Sequence, residues 1–187
     1  LAGLPAYLRR QGFQSDARVI STATIPAGAD ADAAEALRLD PGALMFEIVR
    51  VRLADGEPIS FERAVFPADR FPNLLDRSLS GSIYELLHSD YELAPREAEE
   101  RIELVGAGAA EARLLGVPRG ASLVAITRTA WSDNGVPFER SHDLFRGDRI
   151  RIVVRAQAAA AAMRAPVAAS VEVRTDGHRA DQANLGR

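Results

Sequence analysis

Cysteine is absent from this sequence. That excludes a disulfide framework and a thiolate metal site, and it fits a reducing compartment. No apolar run approaches the roughly 20 residues that span a bilayer. The start has no basic stretch followed by an apolar one, so a signal peptide is not expected. The surroundings expected are therefore cytoplasmic, without membrane contact. Basic charge is not in excess either. Lys and Arg number 23 against 26 Asp and Glu, for a net charge of −3 and a pI near 5.7. A nucleic-acid-binding surface of the basic kind is not expected in this chain. The first residue is not methionine, and the chain reads as a piece of a longer protein with a domain before it.

Catalytic signatures are missing as well. There is no Gly-rich phosphate loop, no nucleophile elbow and no His-x-x-x-His pair. His88, His142 and His178 lie far apart in sequence. Glu62 and Glu139 are a carboxylate pair of the type used in acid–base work. No nucleophile or metal set accompanies them, so neither an enzyme nor a bound metal or cofactor is expected.

What is present is enough for one substantial core: 187 residues, 47% of them hydrophobic. The most informative stretch is residues 46 to 63. It reads as two strands joined at Asp55-Gly56, because glycine accepts the positive φ of a hairpin turn. Side chains two apart share a face, so Phe46, Ile48, Arg50 and Arg52 point together. If the turn centres near Asp55-Gly56, Glu62 falls opposite or close to Arg50. Two guanidinium groups beside one carboxylate make a receiver for a phosphate or carboxylate that also carries hydroxyls. The plainer account is a cross-strand Arg–Glu pair on a solvated sheet, worth roughly a fraction of a kcal/mol.

The rest of the chain reads in order. Residues 1–16 form an entry segment with Pro5, Gly12 and Arg9-Arg10. Residues 17–26 are rich in β-branched side chains and stop at proline, as a strand does. Asp30 caps a short helix over 31–39, which Asp40-Pro41-Gly42 ends. A helix over 80–88 starts at Ser80 or Ser82, with Ile83, Leu86 and Leu87 on one face. A serine there is most often a plain cap, but the free N–H groups of a helix start also seat an anion. Residues 97–105 read as a half-exposed strand, and 106–116 as a second helix ending at Gly116. Strands follow over 122–131, 136–145 and 150–155. Residues 156–187 begin Ala-rich and turn small and polar, and read as a partly disordered tail.

Residues 40–63 and 117–140 resemble each other. Each runs from a Pro/Gly turn through a strand and a Gly-x-Pro hairpin to Phe-Glu-Arg, and each follows a short helix. The expectation is an α+β fold: a pseudo-symmetric, mainly antiparallel sheet, helices on one face and a cleft between the halves.

In order and spacing, these segments resemble the effector-binding (UTRA) domain of the HutC branch of GntR-type bacterial transcription regulators. The stretches that carry this are Ala36 to Gly42, Val49-Arg50-Val51-Arg52, Asp55 to Pro58, Phe71-Pro72, Ser82-Ile83-Tyr84, Glu97 to Arg101, Leu114 to Val117, and Asn134 to Pro137 through Phe145 to Arg149. The resemblance implies a chorismate-lyase-like fold over residues 17–155 and a role as a small-molecule sensor. It implies an interdomain linker ending in residues 1–16, and operator DNA read as a dimer through a winged helix-turn-helix that this chain does not contain. In members that sense amino-sugar phosphates, the matching effector-binding positions are Arg50, Arg52, Glu62, Ser82, Glu139 and Phe145, with linker contacts at Gly3, Leu4 and Pro5. Two positions depart from the family pattern. The aromatic is usually tyrosine, whose hydroxyl Phe145 lacks. The linker is usually Ser-Phe-Thr, whose hydroxyls Gly3-Leu4-Pro5 lacks. The effector expected is anionic, a sugar or amino-sugar phosphate, and the partner expected is a second copy of the chain. The alternatives are a chorismate-lyase-type enzyme and a dimerisation module with a vestigial pocket.

Overall fold

In a computed structural model of the chain, residues 15–155 and 168–173 are described. The strands are β1 (Ser15–Pro26), β2 (Leu44–Ala54), β3 (Glu57–Pro67), β4 (Glu97–Gly106), β5 (Ser122–Trp131), β6 (Pro137–Arg146), β7 (Ile150–Arg155) and β8 (Ala168–Val173). The helices are α1 (Ala31–Leu37), α2 (Ile83–Tyr91) and α3 (Ala109–Leu115). Their ends follow local chemistry. Asp30 accepts from the Ala33 N–H at 3.0 Å to open α1. Ser82 caps α2 in the same way through the Glu85 N–H. Gly116 closes α3 in the left-handed region, at φ 66°. Asp55 and Gly56 both take positive φ, 50° and 81°, as the hairpin between β2 and β3 requires.

Six strands form one antiparallel sheet in the order β1-β2-β3-β6-β5-β4. The chain runs strand, helix, hairpin through β1–α1–β2–β3, and again through β4–α3–β5–β6. The two hairpins meet at the centre, where β3 pairs with β6.

Helices lie on both faces, not on one. Met45 and Val65 pack under α1 with Ala33 and Leu37, and Leu123, Ala125 and Leu144 pack under α3 with Ala112 and Leu115. On the opposite face, Ile48 and Phe66 meet Ile83 and Leu87 of α2. Phe71 makes edge contacts with Phe66 and Phe138 in that cluster, at 5.9 and 6.4 Å between ring centres. The neighbouring sheet end carries Ile126 and Phe145, packed with Ile150 of β7.

The C-terminal reading needs one correction. Part of the stretch taken for a tail is β8, which pairs with β7 from Ile150↔Val173 to Arg155↔Ala168. Its alternation of Val171 and Val173 with Ser170 and Glu172 is a strand pattern, diluted by the alanines before it. The entry segment at residues 1–14 and the remainder of 156–187 lie outside the described residues.

Candidate functional site

Strand register decides which polar side chains can meet. Arg50 lies opposite Glu62, and Glu62 opposite Asp143. One step along, Arg52 lies opposite Ser60, and Ser60 opposite Phe145. On β5, Arg128 lies opposite Ser141 of β6. Alternation along β6 puts Glu139 on the same face as Ser141, Asp143 and Phe145. This is the face covered at one end by α2.

Glu62 holds both arginines. Arg50 Nη2 donates to its Oε2 at 2.7 Å, Arg52 Nε to its Oε1 at 2.6 Å, and Arg52 Nη2 to Oε2 at 3.2 Å. Both arginines are buried, at 6% and 3% exposed, so this is not the solvated surface pair of the plainer account. Burial alone would push the Glu62 carboxyl up, but Arg52 and Arg50 outweigh it and hold it below the usual carboxylate range. Burial lowers Arg50 from its ordinary value. Arg50 Nη1 is fully engaged elsewhere, donating to the carbonyls of Leu79 at 2.9 Å and Gly81 at 3.0 Å. Arg50 therefore ties β2 to the loop that leads into Ser82 and α2. Arg52 Nη1 has no hydrogen-bond partner among the described residues, and neither has the buried Nε of Arg128.

A second polar group adjoins the first. The Tyr84 hydroxyl, in the first turn of α2, donates to Glu139 Oε2. Arg128 lies over the Tyr84 ring, 5.3 Å from its centre, and pairs with Glu100 of β4 at 3.5 Å. Burial raises the Glu139 carboxyl, against the pull of Arg128 and the Tyr84 hydroxyl. Burial, with Glu62 and Glu139 facing it, raises Asp143 well above its ordinary value. The Tyr84 phenol is pushed well up by burial and by Glu139. The site thus sets three guanidinium groups against three carboxyls, and two of the carboxyls are biased towards keeping a proton.

The structure therefore brings together Arg50, Arg52, Glu62 and Glu139 on one sheet face, with Ser82 at the mouth of the adjoining helix. Ser82 spends its hydroxyl as the cap of α2. Phe145 shares the face and is buried, packed with Ala54, Ile59, Ile126 and Ile150. Gly3, Leu4 and Pro5 lie outside the described residues. Tyr84, Arg128 and Asp143 were not singled out from sequence. The signal for Asp143 was available, since it shares strand and parity with Glu139 and Phe145. Among the described residues no group of three or more His, Asp or Glu side chains is placed to hold a metal ion.

Comparison with known proteins agrees with this fold. The model of the UTRA domain family matches residues 10–151. The HTH-type transcriptional repressor NagR of Bacillus subtilis (strain 168) is 32% identical over 107 residues, covering 57% of this chain and 44% of that protein. The HTH-type transcriptional repressor PhnF of Mycolicibacterium smegmatis is 29% identical over 123 residues, covering 65% of this chain and 50% of that protein. The chain spans about half the length of these curated relatives. Among solved structures, the effector domain of PhnF from Mycobacterium smegmatis superposes with a TM-score of 0.74 at 26% identity, covering 79% of this chain and 90% of that one. The C-terminal domain of the histidine utilization repressor from Pseudomonas syringae pv. tomato shares the fold, with a TM-score of 0.67 at 24% identity over 78% of this chain and 100% of that one.

Proposed function

Because the chain belongs to the UTRA domain family of GntR-type transcription regulators, we propose that it senses an anionic small molecule, a sugar phosphate or amino-sugar phosphate, for a DNA-binding protein of which it is one part. The observation that carries this is the buried Arg50–Glu62–Arg52 cluster beside the start of α2. Two guanidinium groups buried on β2 with one carboxylate between them leave an excess positive charge that is costly to desolvate and that an anion would offset. The phosphate of the effector meets Arg52 and the helix start at Ser82. Its hydroxyls or amine meet Glu62, Glu139 and Asp143.

The rest of the reading follows the family. The whole protein acts in the cytoplasm as a homodimer and reads operator DNA through a winged helix-turn-helix that precedes this domain. It is a sensor and not an enzyme. Ligand changes DNA binding only if it has different affinity for two arrangements of the domains. Arg50 offers a route for that difference, because the loop at Leu79–Gly81 hangs on the same guanidinium that faces Glu62.

A thermal-shift screen of the chain against sugar phosphates, amino-sugar phosphates and small carboxylates tests this. A ligand that binds only the folded state raises the melting temperature. The expected result is a hit among the phosphorylated sugars that is lost in Arg52→Lys, which keeps the charge but removes the planar fork. A hit untouched by Arg52→Lys places the ligand elsewhere. Turnover of chorismate by the chain would instead establish the enzyme reading.

A further inference from the structure

The two edges of the main sheet are unlike. β1 slips against β2 between Val19 and Ser21. Such a bulge twists an edge away from pairing with another chain. β4 has no such bulge; its charged side chains, Glu97, Glu99, Glu100, Arg101 and Glu103, restrict which strand can pair with it. It pairs with β5 from Glu97↔Trp131 to Gly106↔Ser122 without a shift. Its other side stands in solvent along nearly the whole strand. Ile102 is 44% exposed, Leu104 80% and Val105 39%. A long, regular edge with apolar side chains in water is a template for another strand.

We infer that the free edge of β4 is the seat of a second copy of this chain, paired antiparallel about a two-fold axis that passes through Ile102. This deepens the homodimer reading above and rests on it. The register follows from symmetry and charge. Residues opposed across an antiparallel ladder share a face. About a two-fold axis perpendicular to the sheet, the axis must then fall on a residue and not between two. An axis on Glu99, Glu100, Arg101 or Glu103 sets that charged residue against its own copy. An axis on Ala98 sets Glu97 against Glu99. An axis on Leu104 opposes no like charges, but it pairs only the last few residues of the strand and forms no ion pair. The axis on Ile102 is different. It sets Ile102 against Ile102, Glu100 against Leu104, Glu99 against Val105, and Arg101 against Glu103 on both sides of the axis. Neither Arg101 nor Glu103 has a charged partner within the chain among the described residues, and the second copy supplies one to each. Glu100, which pairs with Arg128 at 3.5 Å, puts the interface one strand away from the polar cluster on the sheet.

The lack of cysteine makes a direct test available. In Ile102→Cys the two thiols face each other across the axis, with Cα atoms about 4.5–5.5 Å apart. That is within disulfide range, and mild oxidation should cross-link most of the protein into dimers. In Glu100→Cys the two copies are offset by four residues, roughly 13 Å, and at least tenfold less should cross-link. Sedimentation velocity gives an independent reading. Arg101→Glu opposes Glu to Glu and should weaken dimerisation at least tenfold, and adding Glu103→Arg should restore it. A dimeric parent that neither cross-links through Ile102→Cys nor weakens with Arg101→Glu overturns the β4 assignment and leaves the homodimer reading standing. Equal cross-linking of the two cysteine variants also overturns it. A parent that stays monomeric at high concentration overturns both. None of these outcomes bears on effector binding, which the thermal-shift screen measures separately.

Discussion

The hydroxyl of Tyr84 donates to Glu139 Oε2 and so ties the first turn of α2 to β6 across the polar face of the sheet. Arg128 lies over the Tyr84 ring. Glu139 is 7% exposed and has little access to water as a substitute partner.

Tyr84→Phe keeps the ring under Arg128 and removes only the donor. A buried carboxyl that loses a charge-assisted bond costs about 1–3 kcal/mol. Urea unfolding should show a loss of about 2 kcal/mol at pH 8. The loss should shrink at pH 5, because the Glu139 carboxyl is raised by burial and becomes neutral more readily than an exposed one. An unchanged midpoint at pH 8 would mean that this bond contributes nothing to the fold.

Asp143 gives the clearest pH signature. Burial, with Glu62 and Glu139 facing it, raises it well above its ordinary 3.8. An acid raised in the folded state binds more protons folded than unfolded. Its contribution is full below the ordinary value and is lost as pH climbs through the raised one. Glu139 acts with the same sign. Glu62 is lowered, so its contribution is present above the ordinary value and is lost only as pH falls through the lowered one. From pH 5 to 8 the parent should therefore lose stability. Asp143→Asn, which cannot ionise, should lose less and be more stable at pH 8 by about 1 kcal/mol or more. Parallel pH profiles of the two proteins would show that Asp143 titrates normally.

The hairpin at 46–63 was legible because Asp55-Gly56 announces its turn and alternation announces its faces. Its register was legible only approximately. A regular hairpin counted from that turn sets Arg50 opposite Phe61, which turns Glu62 to the other face. The ladder instead slips between Arg52 and Leu53, with Leu53 opposite Pro58 and Arg52 opposite Ser60. That extra residue, Ile59, is what brings Glu62 opposite Arg50. No glycine marks the bulge, so nothing local declares it. Tyr84 and Arg128, and the approach of Asp143 to Glu62, were hidden for another reason. Their meeting depends on β3 pairing with β6 and on β5 lying beyond it, and pairings between distant strands leave no periodicity in either one.

Ser60 is the odd member of the site face. Its hydroxyl is fully buried between Arg52 and Phe145 in the register and has no hydrogen-bond partner among the described residues. A buried hydroxyl without a partner costs about 1–3 kcal/mol to desolvate. Ser60→Ala removes that cost and leaves only a small void, so thermal unfolding should shift upward, by about 1 kcal/mol in stability. If Ser60→Ala instead destabilises the chain, the hydroxyl has a partner in solution, such as a bound water.

Arg50 is the residue where fold and function are hardest to separate, and the two roles leave different traces. As a ligand group it would act through Glu62 and the incoming anion. As a strut it acts through the carbonyls of Leu79 and Gly81, which it holds at 2.9 and 3.0 Å. That loop has a second tie, the Ser80 carbonyl accepting from the Ala17 N–H at 3.0 Å, so it should loosen without the guanidinium and not detach. Arg50→Ala leaves Glu62 paired with Arg52, so no carboxylate is stranded. The expected loss is therefore at the low end of what breaking a buried ion pair costs, about 3 kcal/mol. Hydrogen exchange should quicken over residues 79–86, where the loop and first turn of α2 lose their anchor, and stay slow in β5 and β6. Arg50→Lys restores the charge as a single point that cannot reach two carbonyls and a carboxylate at once, so it should recover less than half of the loss. If exchange at 79–86 is unchanged in Arg50→Ala while effector binding disappears, Arg50 is a binding residue alone. The loop then receives no signal from it, and the route from effector to linker must run through another contact.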